Sequence, residues 1–283
     1  MAITVEGTPT QTSASSANQI TINVPSGLQD DDVLVFFIAC SDNQTISDVS
    51  GTLTQYVQEG SGAGDDRQIA VFYKIIIDSG LEPSNYTFTA ALGLNYSGGA
   101  LILRGVDLDN PEDCPEGTSN LPNQTSLICP SINTINDNAF VLCGGVATEA
   151  ATNYTPPGDV DEQIDVAILD ASSCLGTYTQ ASHGSTGTKT WSYATEKTPE
   201  VTSFQCAFKP APEPSYYTTY MTPTGTQISW TWNSGQYDTS SGMRATSDSP
   251  TIWEWAVISS SSSYFYPSGG PNGWKWISGS CGA

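Results

Sequence analysis

The stretch Asp31-Asp-Asp-Val-Leu-Val-Phe-Phe-Ile-Ala-Cys40 decides the fold class of this chain. Three aspartates lead into an uninterrupted apolar run of strand length, which is typical of a strand buried on both faces at the centre of a sheet. Further short apolar or alternating runs lie around it, each bounded by Gly, Pro, Asn or Asp, at residues 19–24, 51–58, 68–77, 85–90 and 97–104. Strands at this regular spacing predict a β-sandwich or barrel.

The composition of the chain also favours an all-β fold. Ser and Thr together supply 68 residues and Leu only 14, a balance that disfavours amphipathic helices. Eight basic residues stand against 29 acidic ones, which gives a net charge of -21. Because such a surface repels phosphate backbones and anionic lipids, we expect neither nucleic-acid binding nor membrane insertion. The first residues lack the pattern of a secretory signal, so we expect a protein that stays inside the cell or leaves it by lysis.

The second half of the region up to residue 210 repeats the first in the same order. Residues 137–147 match 31–39, and three more pairs follow, namely 154–158 with 48–54, 188–193 with 85–89, and 203–209 with 100–104. Two halves, at about 31–105 and 137–209, are each too short to close a core alone. We therefore predict that residues 1–210 form one pseudo-symmetric, antiparallel, jelly-roll-like β-sandwich in which the halves bury their apolar faces against each other.

Five segments carry a resemblance to a known family. They are residues 31–39, Ala70-Val-Phe-Tyr-Lys74, Tyr86-Thr-Phe-Thr89, Ser97-Gly-Gly-Ala-Leu-Ile-Leu-Arg-Gly-Val-Asp107 and Tyr154-Thr-Pro-Pro-Gly158. In this order, over residues 19–210, they resemble a β-sandwich module of bacteriophage virion proteins and some bacterial extracellular proteins. The most specific marks are the strand after the aspartates and Arg104-Gly-Val-Asp107. The chain departs from the pattern at Gly51-Thr-Leu-Thr54, which lacks an aromatic residue after the glycine. The resemblance implies a structural role at a particle surface and no catalytic residues.

A proline-rich segment ends the predicted sandwich. Pro210-Ala-Pro-Glu-Pro214 is typical of an extended spacer, and we place a domain boundary at residues 211–214. Residues 215–283 hold only three acidic and two basic side chains, so nearly all the negative charge lies before them. We predict that they form a small Trp-rich β module that serves as a tip or an oligomerisation module.

Six of the seven tryptophans lie in this last segment as Trp-x-Trp pairs. Alternate residues of a strand share one face, so these side chains and two tyrosines predict an aromatic wall, made of Trp230, Trp232, Trp253, Trp255, Tyr264, Tyr266, Trp274 and Trp276. One interpretation is a glycan-binding platform, because indole faces stack on sugar rings. The other, which we favour, is a core or homo-oligomer seam, since a small module needs large buried side chains.

The remaining reactive side chains form no recognisable catalytic or metal-binding motif. Cys114 and Cys129 bracket a Pro-rich polar loop and are candidates for a disulfide, with free thiols as the favoured alternative. Acidic clusters at 30–32, 65–66, 107–116 and 159–165 contain potential calcium ligands but fit no EF-hand, and a solvated acidic surface is favoured. The single histidine, His183, lacks a catalytic context. We therefore predict no enzyme activity, metal or cofactor.

These observations lead to one principal functional hypothesis. We expect a non-enzymatic bacteriophage virion protein on the particle surface, either a capsid decoration protein or a short head or tail appendage, with a contribution to host-surface adhesion. Its expected partners are other virion subunits, further copies of itself with a trimer favoured, and a host-surface glycan. It would be assembled in the host cytoplasm and reside on the virion surface. The alternatives are a carbohydrate-binding or polysaccharide-degrading receptor-binding protein, and a bacterial surface adhesin.

Overall fold

The computed structural model describes residues 2–60, 67–90, 93–122, 124–148, 154–193, 200–212, 217–221, 227–228 and 253–257. These residues form strands and no α-helix, so the prediction of an all-β chain is confirmed. Contacts between residues divide the chain into two compact units, 1–212 and 213–283.

The described residues of the first unit form eighteen strands and one short 3-10 turn, Ser79–Leu81. The strands of its first half are β1 (Thr4–Ala17), β2 (Ile20–Asn23), β3 (Val33–Cys40), β4 (Ser47–Asp48), β5 (Thr54–Gly60), β6 (Gln68–Ile75), β7 (Asn85–Thr89) and β8 (Leu94–Arg104). Those of its second half are β9 (Glu112–Leu121), β10 (Ser126–Cys129), β11 (Asn133–Thr134), β12 (Ala139–Ala147), β13 (Tyr154–Thr155), β14 (Asp161–Val166), β15 (Ser172–Gln180), β16 (Gly184–Ser185), β17 (Lys189–Tyr193) and β18 (Val201–Phe208).

The two halves have the same sheet topology. One five-stranded antiparallel sheet has the order β1-β8-β3-β6-β5, and the other has the order β9-β18-β12-β15-β14. Each half adds a three-stranded sheet, β2-β7-β4 in the first and β10-β17-β13 in the second. When β3 is matched with β12, every strand of the first half has a counterpart at the same position of the second, and β11 and β16 form an extra two-stranded sheet.

Three apolar clusters stack these sheets into four layers. The central cluster lies between the two five-stranded sheets and joins residues such as Val35 and Phe37 of β3 to Leu142 of β12 and Phe204 of β18. A second cluster lies between β2-β7-β4 and the other face of the first large sheet, and a third is its counterpart in the second half. Both faces of β3 and β12 are thus covered, which explains their continuous apolar sequence. The expectation that neither half has a core of its own was wrong, because each small sheet closes one.

Several strands were not expected, among them β10, β14 and β15 of the second half and the two edge strands β1 and β9. β1, in the Ser/Thr-rich lead, is the longest strand, with 14 residues, and pairs with β8. β9 occupies much of the segment predicted to be a Pro-rich loop and pairs with β18 with two register shifts. Pro115 is tolerated in β9 because an edge strand needs only alternate backbone N–H groups for pairing.

The described backbone of the second unit forms one small antiparallel sheet. Its strands are β19 (Tyr217–Met221), β20 (Gln227–Ile228) and β21 (Trp253–Val257), in the order β20-β19-β21.

Candidate interaction surfaces

The structure describes only part of the predicted aromatic wall. Trp253 and Trp255 both lie in β21, where their backbone pairs with Met221 and Thr219 of β19. The other members lie outside the described residues; they are Trp230, Trp232, Tyr264, Tyr266, Trp274 and Trp276. The glycan platform and the oligomer seam therefore both stay predictions.

The cysteines of the first unit are buried free thiols. Cys114, on β9, and Cys129, on β10, lie in the same apolar cluster but form no disulfide, so the free-thiol alternative describes the structure. The Cys129 thiol instead donates a hydrogen bond to Gly144 O at 3.4 Å. Burial raises the pKa of Cys114 to about 11 and that of Cys129 well above its ordinary value. These thiols are therefore protonated at neutral pH and act as small apolar side chains.

His183 belongs to a turn rather than to a catalytic arrangement. Its Nδ1 lies 2.7 Å from Asp137 Oδ1, and its backbone N–H donates to the same oxygen at 2.8 Å. The backbone N–H is the main cause of the lowered pKa of the Asp137 carboxyl. The first half has the same kind of hydrogen bond between an aspartate and the backbone of a turn, because Ser79 N donates to Asp30 Oδ1 at 2.8 Å. An aspartate that caps a turn in both halves indicates a structural role for the His183–Asp137 pair.

The acidic clusters also serve the fold where the structure describes them. Asp113 accepts hydrogen bonds from the backbone N–H groups of Ile135 and Asn136, and Asp107 accepts from those of Asp109 and Asn110. Asp65 and Asp66 lie outside the described residues. Within the described part of the chain, no three His, Cys, Asp or Glu side chains are grouped so as to hold a metal ion.

Arg104 and Asp107, the residues that mark the family resemblance, tie the sandwich together at one end. Arg104 donates from Nε and one terminal nitrogen to the two carboxylate oxygens of buried Asp32, at 2.8 and 2.9 Å. Asp107 pairs with Lys209 at 2.7 Å, and Val106 forms a β-bridge with Pro210. The motif therefore connects the start of β3 to the end of the second half and has a structural role.

Ion pairs of this kind involve every basic side chain that the structure describes in the first unit. All five Lys and Arg side chains described by the structure form an ion pair with a carboxylate. The pairs are Arg67–Glu200, Lys74–Glu82, Arg104 with Asp32 and Glu6, Lys189–Asp159 and Lys209–Asp107. The described basic side chains are thus all neutralised by carboxylates of the same chain. The acidic side chains that have no basic partner give the described surface a negative electrostatic potential.

The edges of both large sheets are modified against pairing with another strand. Of the four edge strands, β1 contains Pro9 and two register shifts, β9 contains Pro115, and β5 has a register shift. β14 carries acidic residues at Asp161, Glu162 and Asp165. Bulges, prolines and charges of this kind prevent the addition of a strand from outside.

The outer layers are different, because their outward side chains are uncharged and, apart from Ile128, polar. Buried and exposed residues alternate along the strands of each small sheet, so that one set points into the core and the other points outward. Outer face 1 consists of Thr21, Asn23, Ser47, Asn85, Thr87 and Thr89, and outer face 2 consists of Ser126, Ile128, Thr155, Thr190 and Ser192. None of these residues is charged. The two faces lie on opposite sides of the four-layered unit and offer hydroxyl and amide groups to a partner.

Outer face 1 is ordered by contacts between its own side chains and the neighbouring backbone. The hydroxyls of Thr21 and Thr87 lie 3.0 Å apart across β2 and β7. The Thr89 hydroxyl donates to Asn18 O at 2.9 Å. Such cross-strand pairs hold short side chains in fixed positions, so that little side-chain entropy is lost when a partner binds.

Comparison with known proteins returns no match for this chain. No protein-family model matches it, and neither the search of curated proteins nor the search of solved structures found a similar chain. Within the described residues, nothing helical has the length and hydropathy needed to cross a bilayer.

Proposed function

We propose that this chain is a non-enzymatic structural protein of a bacteriophage virion. It is displayed on the particle surface as a capsid decoration protein or as a short head or tail appendage. Its first unit is a jelly-roll-like sandwich that docks on other virion subunits, and its Trp-rich residues 215–283 form a tip that trimerises or contacts a host glycan. The chain is assembled with the particle in the host cytoplasm.

The pair of uncharged outer faces carries this proposal. A catalytic protein usually gathers its functional groups in one concave site. Here the candidate contact groups are spread over two opposite outer layers of a unit whose sheet edges resist further pairing. One copy can thus contact two neighbours at the same time, which is the geometry required of a protein that packs between subunits of a particle.

Immunogold electron microscopy of purified particles tests the proposal. Particles are prepared from a culture that carries the gene and labelled with antibodies to the recombinant chain. We expect label on the outside of the particles and none on particles from a strain that lacks the gene. Recovery of the protein only in particle-free fractions would refute a virion role.

Rebinding of the full chain to particles that lack it tests the outer faces themselves. Thr87→Lys on outer face 1 and Thr190→Lys on outer face 2 should each reduce co-sedimentation at least about tenfold, because each buries a charge at the contact. Asn110→Lys, in the exposed loop after β8, adds the same charge away from both faces and is the matched control. Equal binding by all three variants would show that the outer faces are not the docking surfaces.

A second candidate function is a carbohydrate-binding or polysaccharide-degrading receptor-binding protein. The observation in its favour is that Trp253 and Trp255 lie in one strand of a small sheet, two positions apart. Glycan-array screening of the full chain tests it, with the Trp253→Ala variant as the comparison. Glycan binding that this variant loses while its melting temperature is unchanged would favour this candidate over an oligomer seam. Hydrolysis of a host polysaccharide that an Asp or Glu substitution abolishes would identify an enzyme.

A further inference from the structure

β1 is the least buried strand of the two large sheets. It pairs with β8 along most of its 14 residues, yet none of these residues is buried. Each of the other nine strands described in the large sheets has at least two buried residues, including β9, the counterpart of β1 in the second half. Backbone hydrogen bonds at a solvated edge therefore supply most of what holds β1, and such segments open at low free energy.

A few side-chain contacts add to this pairing. Val5 packs against the central cluster, and Ile3, just before the strand, is buried. The Thr10 hydroxyl donates to Asn23 O at 2.5 Å, and Gln11 Oε1 accepts from Asp165 N at 3.0 Å. Together with the ion pair between Glu6 and Arg104 of β8 at 3.0 Å, these contacts fix the register of β1, and they amount to far less apolar burial than the other strands have.

The connection between β1 and β2 has the features of a hinge. Ser16 has a φ of 47°, in the left-handed region that a serine rarely adopts. The register of β1 with β8 shifts between Ala14 and Ala17, and only Asn18 and Gln19 separate the two strands. Opening at this point relaxes the strained residue and costs one hydrogen bond to β8, which Ser16 N donates to Asn95 Oδ1 at 2.9 Å.

The edge beneath β1 requires a partner strand. Nine of the eleven residues of β8 are buried, so the loss of β1 would expose a long apolar strand with unpaired backbone groups. Glycines in and after β8 also allow a neighbouring backbone to approach closely. A Cβ at Gly99 would lie 2.1 Å from Thr10 O, and a Cβ at Gly105 would lie 2.7 Å from Ala2 O. The β8 edge thus accepts the close backbone approach of β1.

We infer that β1 is an exchangeable strand, which pairs with β8 of its own chain in the free protein and with β8 of a second copy in an assembly. Each contact made within one chain is reproduced between chains, so exchange costs little and depends on protein concentration. The partner is a second copy of this chain, presenting its residues 2–17. The inferred strand exchange does not depend on whether the chain belongs to a virion.

A crosslink between different chains tests the exchange directly. Val5 and Leu103 are cross-strand partners that both face the central cluster. Full-length Val5→Cys and Leu103→Cys chains are mixed, incubated a few degrees below the melting temperature, cooled, oxidised and analysed by non-reducing electrophoresis and mass spectrometry. We expect a heterodimer linked through these two positions.

Matched controls make the result decisive. The double variant Val5→Cys/Leu103→Cys shows that the geometry allows the bond within one chain. A mixture of Ser119→Cys and Ser203→Cys chains reports on β9 and β18, the equivalent pair in the second half, and should give no heterodimer. A bond within the double variant with none between mixed chains would overturn the proposal, as would equal heterodimer in both mixtures.

Hydrogen exchange of the unmodified chain provides a test that needs no substitution. The paired amides of β1 should exchange at least about tenfold faster than those of β9, because β1 opens without global unfolding. Equal protection of the two strands would show that β1 does not detach and would contradict the inference.

Discussion

Removal of one hydroxyl, by Tyr56→Phe, tests how the two halves are joined. The register of β9 with β18 shifts on both sides of the pair formed by Cys114 and Ala207. Tyr56, from β5 of the other large sheet, reaches this pair, and its one hydroxyl proton is shared between Cys114 O at 2.8 Å and Ala207 O at 2.7 Å. The same oxygen accepts a hydrogen bond from Ala207 N at 3.2 Å.

The size of the effect follows from these three contacts. Phenylalanine keeps the ring, which packs edge to face on Tyr73 and Phe208, so the loss is confined to the hydroxyl. A buried polar group left without a partner costs about 1–3 kcal/mol, and relaxation offsets part of the total. We expect the free energy of unfolding to fall by about 2–3 kcal/mol. For a domain of about 200 residues this corresponds to a melting temperature lower by roughly 4–12 °C.

Thermal and urea unfolding followed by circular dichroism measure this change. Tyr73→Phe is the matched control, because its hydroxyl donates at 3.0 Å to the side chain of Glu112 at the half-buried margin of the same contact. The control should lose less than about 1 kcal/mol. If Tyr56→Phe is no more destabilising than Tyr73→Phe, the hydroxyl does not stabilise this contact between the two sheets and this account of the interface fails.

Three further predictions concern charge. Burial raises the pKa of Cys114 to about 11 and those of Cys40 and Tyr73 to about 12, whereas unfolded thiols and phenols titrate near 9 and 10. The unfolded chain therefore loses these protons at a lower pH than the folded chain does. We expect the free energy of unfolding, measured by urea titration, to fall as the pH rises from about 9 to 12. Glu200→Gln removes one carboxylate from the Arg67 guanidinium, which is only 2% exposed, and should lower the free energy of unfolding by about 1.5–3 kcal/mol in calorimetry; a change within about 0.5 kcal/mol would contradict this. The melting temperature should rise as NaCl increases from about 0.01 to 1 M, since the Debye length falls from about 30 to 3 Å, and a flat response would show that surface repulsion is unimportant.

The sequence predicted the strands that have a simple pattern of burial. The apolar runs that became β3 and β12 are buried on both faces, and the alternation at Ile20 and Ile22 gave the inward face of β2. β1 was not predicted, because its Ser/Thr-rich sequence has no apolar periodicity. It is a strand only because β8 offers a partner, which is a tertiary effect. β9 was missed because Pro115 indicates a loop unless the strand is known to lie at an edge.

The candidate surfaces were harder to predict than the strands. Alternation along β2, β7 and β17 shows which residues point outward, but a continuous apolar run such as β3 does not show what covers each of its faces. The four-layered stacking, and with it the position of the outer faces, therefore needed the structure. Arg104 and Asp107 were marked by the sequence, whereas their partners Asp32 and Lys209 are distant along the chain and could not be inferred.

The placement of charge limits the partners that the first unit can have. Its described basic side chains are all engaged with carboxylates, so they provide no unpaired positive charge with which to recruit phosphate groups. Copies of a chain with a net charge of -21 repel one another wherever acidic surfaces meet. Contacts between copies, or with other acidic subunits, are least costly where acidic residues are few. The outer faces carry none, and β1 carries one, Glu6, which is paired with Arg104. The two outer faces and β1, the surfaces proposed for assembly, thus carry little acidic charge to repel a second copy.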